Sequence, residues 1–313
     1  MYVHIIKDDE GEAMAKIGRW KSDAARAAYM AAYESLKELW PVETRALDVP
    51  TTYGPTRVYR SGVGSATPMI LLHPLGGNGL CWYPIIEQLT RDRVVYTLDT
   101  IGAPGLSEQT EPITAATDYG IWLDDVLAGL RLDKAHVLGY SEGAWRGAMA
   151  GVHGSARVAS LTLVEPGAGL VKPTLGFLLK VMRYGMRPTD KNMRKASEWL
   201  TPGLEVSAQE LACAKTSLGY RTRTPWPQPL KDEELQAIKA PTLVIFGAES
   251  VVTELEKARE RVAAHVRRSE FEVFPGIGHG VLYQSPHREK VLARVDAFVR
   301  QHDAETSAAA SGR

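Results

Sequence analysis

The sequence predicts an α/β protein with a mostly parallel central sheet and helices on both faces. From about residue 45 onward, short apolar strand-like runs alternate with longer helical runs, and such alternation implies a parallel sheet covered on both sides. Several of the strand-like runs are continuously apolar, as expected for strands buried on both faces. The alternation breaks between about residues 168 and 235, where the runs are helical. We therefore expect one sheet domain that contains a helical insertion.

An extra N-terminal helix is predicted before the sheet. The segment SDAARAAYMAAYESLKELWP begins at Ser22, a suitable N-cap, and ends before Pro41, which cannot continue a helix. Its apolar face repeats at three- and four-residue spacing. The residues of this face are Ala25, Tyr29, Tyr33, Leu36 and Trp40. We expect the face to pack on the body of the domain, and the alternatives are a dimer contact or a lid over the pocket.

The remaining elements follow in order along the chain. TRALDVP and TRVYRSG flank the turn TTYGP and predict a hairpin. The later predicted strands are PMILLHP, RVVYTLD, KAHVLGY, VASLTLVEP, PTLVIFG and FEVFP. The predicted helices of the core are WYPIIEQLT, DYGIWLDDVLAGLRL, EGAWRGAMAGV, ELEKARERVAAHV and REKVLARVDAFVR. The helical insertion therefore follows the sixth strand, VASLTLVEP.

These patterns divide the chain into four parts. Residues 1–44 form an N-terminal helical extension, and residues 45–167 and 236–302 form the sheet core. Residues 168–235 form the helical insertion, which we interpret as a cap. Residues 303–313 are small and polar, so we expect a disordered tail.

Composition and charge exclude several classes of protein. The chain has 313 residues, and its 37 basic and 37 acidic residues give a net charge of zero, whereas a nucleic-acid binder would show a basic excess. No apolar run approaches the roughly 18 residues of a membrane span, and the N-terminus lacks the pattern of a secretory signal. Cys81 and Cys213 have no metal-ligand spacing. We expect a cytoplasmic protein with reduced thiols and no metal or cofactor, and the oligomeric state stays open.

The segment VLGYSEG carries the main chemical signal. Residues 139–143, GYSEG, match the G-x-S-x-G nucleophile elbow and lie between an apolar strand and a helix. Such an elbow is a sharp strand-to-helix turn that presents the serine hydroxyl above the sheet edge, and the flanking glycines avoid clashes there. Ser141 is therefore the candidate nucleophile.

A glycine-rich loop, LLHPLGGNG, supplies candidate oxyanion donors. Acyl transfer needs two N–H groups directed at the oxyanion. We assign these to the backbone N–H groups of Leu75 and Glu142, because Pro74 has no N–H. His73 abuts this loop, and we interpret it as bracing the loop rather than acting as a base.

The loop FPGIGHG supplies the candidate general base. His279 follows the last predicted strand between two glycines. It also lies C-terminal to the serine, in the chain order serine, acid, histidine that is typical of nucleophile-elbow enzymes.

With these motifs in this order, the chain resembles the α/β-hydrolase superfamily over roughly residues 45–302. The pieces that carry the resemblance are LLHPLGG, LDTIGAPGLS, LGYSEGAW, PTLVIFG and PGIGHG. The N-terminal half is similar to bacterial carboxylesterases of the naproxen-hydrolysing type, in which a helix ending in Trp-Pro leads into a T-x-x-G-x-T-x-V hairpin, here LWPVETRALDVPTTYGPTRV. The resemblance implies an α/β-hydrolase fold with a helical cap after strand 6. This chain departs from the family pattern at Pro74, Glu142 and Ser250.

The position of the catalytic acid stays open between two glutamates. In the family the acid usually lies three residues past the glycine that ends the seventh strand, which is the neutral Ser250 here. Glu249 lies one position earlier, and Glu165 ends the sixth strand, from which certain haloalkane dehalogenases supply their acid. We favour Glu165, because a carboxylate at the end of a buried strand is costly to leave unpaired. A third possibility is that the reaction is not hydrolysis and needs no acid.

The predicted pocket lies between the elbow and the cap. We assign its wall to His73, Tyr140, Phe177, Met182 and Tyr184, because ligand pockets are mostly apolar and aromatic. The side chain of Glu142 is expected either to enter this pocket or to face outward at the surface.

The sequence therefore predicts a serine hydrolase, a carboxylesterase that acts through Ser141, His279 and Glu165 on a small hydrophobic acyl or aromatic ester. One alternative is a non-hydrolytic catalyst on the same fold, such as a cyclase or lyase. Another is a binding or signalling protein with residual hydrolase activity. Epoxide hydrolases and dehalogenases of this fold use an aspartate nucleophile, and Ser141 argues against both.

Overall fold

A computed structural model describes residues 17–185 and 189–311, and an eight-stranded sheet forms its centre. The sheet strands in chain order are β2 (Thr44–Val49), β3 (Thr56–Ser61), β4 (Ala66–Leu72), β5 (Arg93–Leu98), β6 (Ala135–Tyr140), β7 (Val158–Val164), β9 (Thr242–Gly247) and β10 (Ser269–Phe274). Across the sheet they lie in the order β10, β9, β7, β6, β4, β5, β3, β2. The six strands from β10 to β5 are parallel, and β3 pairs in antiparallel orientation with β5 on one side and with β2 on the other. This confirms the predicted mostly parallel sheet and the N-terminal hairpin.

A separate two-stranded ribbon pairs β1 (Arg19–Trp20) with β8 (Tyr220–Arg221) in antiparallel orientation. The sequence did not predict this ribbon, because each strand has only two residues and its partner lies far along the chain. The ribbon joins the N-terminal segment to the helical insertion.

Helices cover both faces of the sheet. They are α1 (Asp23–Lys37), α2 (Ile86–Leu89), α3 (Asp118–Gly129), α4 (Glu142–His153), α5 (Leu175–Gly185), α6 (Asp190–Leu200), α7 (Ala208–Ser217), α8 (Asp232–Ala237), α9 (Leu255–His265) and α10 (His287–Ser311). Along β4, Ile70 and Leu72 enter the core beneath α3 and α4, whereas Met69 and Leu71 enter the core beneath α2 and α10. This alternation follows from the two-residue period of a strand.

The N-terminal helix α1 forms as the sequence predicts. The Oγ of Ser22 accepts a hydrogen bond from the N–H of Ala25 over 3.1 Å, and Tyr29, Tyr33 and Leu36 are buried. This face packs against α7 and against residues of the sheet domain. The expected packing on the body of the domain is therefore confirmed for the described residues, and residues 1–16 of the predicted extension lie outside them.

The insertion between β7 and β9 contains α5, α6, α7 and α8. The strand β7 corresponds to VASLTLVEP, the sixth strand predicted from the sequence. The two numbers differ because the short β1 was not predicted. None of the described helices is long and apolar enough to cross a membrane.

The C-terminal helix extends past the position at which a disordered tail was predicted to start. Helix α10 continues through position 303, where a disordered tail was expected to begin. The carboxylate of Asp303 accepts hydrogen bonds from Arg93 over 2.9 Å and from the N–H of Thr67 over 3.1 Å. Side-chain contacts with distant strands therefore order this position, and local composition could not reveal them.

Candidate active site

The turn between β6 and α4 holds Ser141 in a strained conformation. Its φ of 56° lies in the left-handed region, which is uncommon for a residue other than glycine. A Cβ on Gly139 would lie 2.3 Å from the carbonyl oxygen of Gly143, and a Cβ on Gly143 would lie 2.0 Å from that of Leu72. Both contacts are too close for any side chain. The two flanking glycines are therefore steric requirements of the turn that projects Ser141.

Ser141, His279 and Glu165 form a hydrogen-bonded chain. The Oγ of Ser141 lies 3.2 Å from Nε2 of His279, and Nδ1 of His279 lies 2.9 Å from Oε2 of Glu165. His279 is 8% exposed and Glu165 is fully buried. These three residues come from the ends of β6 and β7 and from the loop after β10, so the parallel sheet brings them to one edge.

Glu165 is held by further donors. The N–H of Gly247 donates to Oε1 over 2.8 Å, and the hydroxyl of Ser250 donates to Oε2 over 2.6 Å. Glu249, the other candidate acid, is exposed, and its backbone N–H binds the carbonyl of Ile277. Among the described residues, the carboxylate that contacts His279 is that of Glu165.

Tyr140 contacts both the backbone and the ring of His279. Its hydroxyl donates to the carbonyl oxygen of His279 over 2.7 Å, and the two rings stack with centroids 5.2 Å apart. Burial raises the pKa of the Tyr140 phenol well above its ordinary value, so the group stays a neutral donor. The backbone and the ring of His279 are therefore both held by the residue that precedes Ser141.

His73 braces the loop that carries Leu75. The N–H of Thr100 donates to Nε2 of His73 over 3.1 Å, which leaves Nδ1 to donate to the carbonyl of Pro74 over 2.8 Å. Burial and the nearby charge of Arg146 lower the pKa of His73 to about 3, so the ring is neutral. Since N–H and C=O point in opposite directions across a trans peptide, this contact turns the N–H of Leu75 away from His73.

The N–H of Glu142 lies at the start of a helix. Glu142 is the first residue of α4, and the first N–H groups of a helix have no acceptor within it. Its carboxylate pairs with Arg146 one turn later, over 2.9 Å, and its side chain is only 8% exposed. Glu142 is therefore not an outward-facing surface glutamate, and it is also not among the residues that line the cavity described next. The i, i+4 spacing of these two residues is a signal that the sequence analysis did not use.

A cavity of about 280 Å³ lies beside the elbow. Its wall includes the glycine-rich loop at residues 74–78, Tyr140, and Leu36 of α1. Most of the remaining wall comes from residues 204–214, which include the first part of α7. The cavity therefore lies between the sheet edge, the N-terminal helix and the insertion.

Of the five predicted pocket residues, only Tyr140 lines this cavity. His73 is buried beneath the loop with both ring nitrogens occupied. Phe177 and Tyr184 lie against the ring of Trp199, with centroids 5.4 and 6.2 Å away, and Met182 lies on the same helix, α5. Therefore none of His73, Phe177, Met182 and Tyr184 lines this cavity.

Three features of the site were not predicted from the sequence. The hydroxyl of Ser250 binds the acid, the hydroxyl of Tyr140 binds the backbone of His279, and Glu210 of α7 lines the cavity. Among the described residues, no three His, Cys, Asp or Glu side chains converge in a way that could hold a metal ion.

Comparison with known proteins agrees with this architecture. Residues 69–294 match the model of the alpha/beta hydrolase family. The chain is 26% identical over 284 residues to Carboxylesterase YbfK of Bacillus subtilis (strain 168), an alignment that covers 86% of this chain and 92% of the relative. It is 27% identical over 268 residues to a protein named uncharacterized carboxylesterase nap from the same organism. That alignment covers 82% of this chain and 88% of the relative. The crystal structure of naproxen esterase from Bacillus subtilis superposes with a TM-score of 0.80 at 25% identity, covering 88% of this chain and 98% of that one.

Proposed function

Since the chain belongs to the alpha/beta hydrolase family, we propose that it is a carboxylesterase-like hydrolase that cleaves esters with a hydrophobic acyl or aromatic part. The observation that carries this proposal is the chain of hydrogen bonds from Ser141 through His279 to Glu165. A nucleophile, a base within reach of it and a group that orients the base are what covalent acyl transfer requires.

The proposed reaction begins with proton transfer from Ser141. As Oγ of Ser141 attacks the ester carbonyl carbon, Nε2 of His279 takes its proton, and the carboxylate of Glu165 stabilises the imidazolium at Nδ1. The N–H groups of Leu75 and Glu142 stabilise the oxyanion. His279 then protonates the departing alcohol and leaves an acyl group on Ser141.

Hydrolysis of the acyl-enzyme completes the cycle. His279 removes a proton from water, the resulting hydroxide attacks the acyl carbon, and the bond to Oγ of Ser141 breaks as His279 returns the proton. Tyr140 and Leu36 contribute apolar area to the cavity, which supports a hydrophobic substrate. The insertion acts as a cap in this proposal, because residues 204–214 supply much of the cavity wall.

The proposal is tested with a fluorophosphonate probe and a nitrophenyl ester. We expect the probe to label the wild-type protein at Ser141, and we expect Ser141→Ala to abolish both labelling and ester turnover. Folded protein that is not labelled would refute the proposed nucleophile. Labelling without turnover of any ester in a panel of acyl-chain lengths would instead favour the non-hydrolytic or ligand-binding alternatives.

A further inference from the structure

The cavity beside the elbow contains a carboxyl group that the proposed reaction does not use. Glu210 of α7 lines the cavity, and its Oε2 accepts a hydrogen bond of 3.3 Å from the hydroxyl of Tyr83. A carboxylate can accept about four hydrogen bonds. Among the described residues, Tyr83 is the one donor found for this carboxyl, so most of its acceptor capacity is available to a ligand.

Glu210 lines the same cavity as Tyr140. Burial raises the pKa of Cys81, Tyr140 and Tyr283, and in each case the negative charge of Glu210 contributes to the increase. Tyr140 immediately precedes Ser141 in the chain. Glu210 and the residue that precedes the proposed nucleophile therefore face the same cavity.

One hydroxyl of the cavity wall is not a donor to Glu210. The hydroxyl of Tyr140 is committed to the carbonyl of His279 over 2.7 Å. Burial raises the pKa of Glu210 itself, and the hydrogen bond from Tyr83 only opposes this increase. A carboxylate in such a place is stabilised when a cation or a strong donor enters the cavity.

The charged residues of the cavity wall also favour a cation as the ligand. Glu205 is a second acidic residue of the wall, and the basic residue of the wall is Arg288. The guanidinium of Arg288 pairs with Glu289 over 3.0 Å. The wall therefore has two acidic residues and one basic residue, and the guanidinium of that basic residue is paired with a residue outside the wall.

We propose that this cavity binds a protonated amine carried by the ester substrate and that Glu210 is the residue that selects it. The amine donates charge-assisted hydrogen bonds to the free acceptor positions of the Glu210 carboxylate. The hydrocarbon part between the amine and the ester lies against the apolar and aromatic wall. This inference rests on the proposed function, because the amine belongs to an ester that is cleaved at Ser141.

The test uses pairs of esters that differ only in an ammonium group. The first pair is the nitrophenyl esters of heptanoic acid and of ε-aminohexanoic acid, in which an ammonium replaces the terminal methyl. The second pair, hexyl acetate and aminopentyl acetate, places the same change on the alcohol side. For each enzyme variant, kcat/KM for the amine ester is divided by kcat/KM for its neutral partner.

We expect Glu210→Gln to lower this ratio about tenfold or more in at least one pair, since the amine loses a charge-assisted hydrogen bond. The matched control is Glu233→Gln, which changes an exposed glutamate of α8 and should leave the ratio unchanged. Thermal unfolding of both variants checks that the fold is retained.

The same ratio in Glu210→Gln and in the wild type, for both pairs, would overturn the inference. This outcome is distinct from failure of the proposed function, in which the neutral esters are not cleaved and Ser141 is not labelled. A ratio that falls equally in Glu210→Gln and Glu233→Gln would also overturn it, because the effect would then reflect overall charge rather than binding in the cavity.

Discussion

The hydroxyl of Ser250 donates a hydrogen bond to Oε2 of Glu165, the same oxygen that faces Nδ1 of His279. Ser250 therefore stands where the family usually has its acid and instead contacts a carboxylate that enters from the neighbouring strand. A second carboxylate at position 250 would lie beside that of Glu165, and two like charges at this distance disfavour each other's ionised form. A neutral donor at position 250 and an acid at position 165 are thus physically complementary.

The first prediction concerns the acid. We expect Glu165→Gln to lower kcat on a nitrophenyl ester by roughly 10³ to 10⁴, because an amide does not stabilise the imidazolium as a carboxylate does. Glu249→Gln is the matched control and should keep kcat within about twofold, because Glu249 is exposed. Near-full activity of Glu165→Gln would refute the assignment of the acid.

The second prediction returns the acid to the usual position of the family. In the double variant Glu165→Gln with Ser250→Asp, the new carboxylate starts from a side chain that already lies 2.6 Å from Oε2 of Glu165. We expect the double variant to have a kcat at least about tenfold above that of Glu165→Gln alone, since a carboxylate again stabilises the imidazolium. Ser250→Asp alone should be less active than the wild type. Equal rates for the double variant and Glu165→Gln would show that position 250 cannot orient His279.

At the scale of elements, the strand-turn-helix from β6 to α4 depends on close backbone contact. Gly143 and Gly147 lie one turn apart in α4 but have different surroundings. A Cβ at position 143 would lie 2.0 Å from the carbonyl oxygen of Leu72, whereas at position 147 the nearest atom is 3.4 Å away, in the side chain of Val137. The first contact is with backbone that cannot move easily, and the second is ordinary packing.

The third prediction compares alanine at these two positions. We expect Gly143→Ala to lower the free energy of unfolding by about 3 kcal/mol or to prevent folding, because α4 must move away from β4. Gly147→Ala should be neutral or should stabilise by up to about 1 kcal/mol through helix propensity. Urea unfolding followed by circular dichroism measures both variants. Equal stability of the two would contradict the steric account of the elbow.

The elements also show what the sequence could and could not predict. The alternation of apolar runs located every strand of the central sheet, and the position of Glu165 at the end of β7 was enough to favour it as the partner of His279. Periodicity identifies which residues share a helix face but not what that face meets, so Phe177 and Tyr184 were assigned to the pocket although they lie against Trp199. Glu210 was missed for the same reason, because only tertiary packing brings α7 to the cavity.

At the scale of the whole molecule, a largely buried ion pair connects the last helix to two interior strands of the sheet. Asp303 of α10 pairs with Arg93 of β5 over 2.9 Å and with His136 of β6 over 3.0 Å, and Nδ1 of His136 lies 2.7 Å from the hydroxyl of Ser160. Arg93 is 1% exposed. The contacts join residues that are 210 and 167 positions apart in the chain, so they form only when the sheet and α10 are both in place.

The pH dependence of this ion pair has a definite sign. Burial alone would raise the pKa of Asp303, but hydrogen bonds from His136 and Arg93 hold it well below its ordinary value. The stabilisation is therefore present above the unfolded pKa of about 4 and is lost as the pH falls towards the folded value. Burial lowers the pKa of His136, so protonation of the unfolded chain below about pH 6.5 adds a loss of stability in the same direction.

The fourth prediction follows from this cluster. We expect Asp303→Asn to lower the free energy of unfolding by roughly 2 kcal/mol at pH 7, because Arg93 stays buried and, among the described residues, keeps Asp92 at 3.4 Å as its charged partner. The difference from the wild type should shrink below about pH 4, where Asp303 of the unfolded chain is already protonated. Asp296→Asn on the same helix is the control, since its pair with Arg300 is about half exposed and should contribute less than about 1 kcal/mol. Urea unfolding at pH 7 and below about pH 4 measures these differences. If Asp303→Asn and Asp296→Asn lose the same stability at pH 7, the pair with Arg93 does not anchor α10 to the sheet.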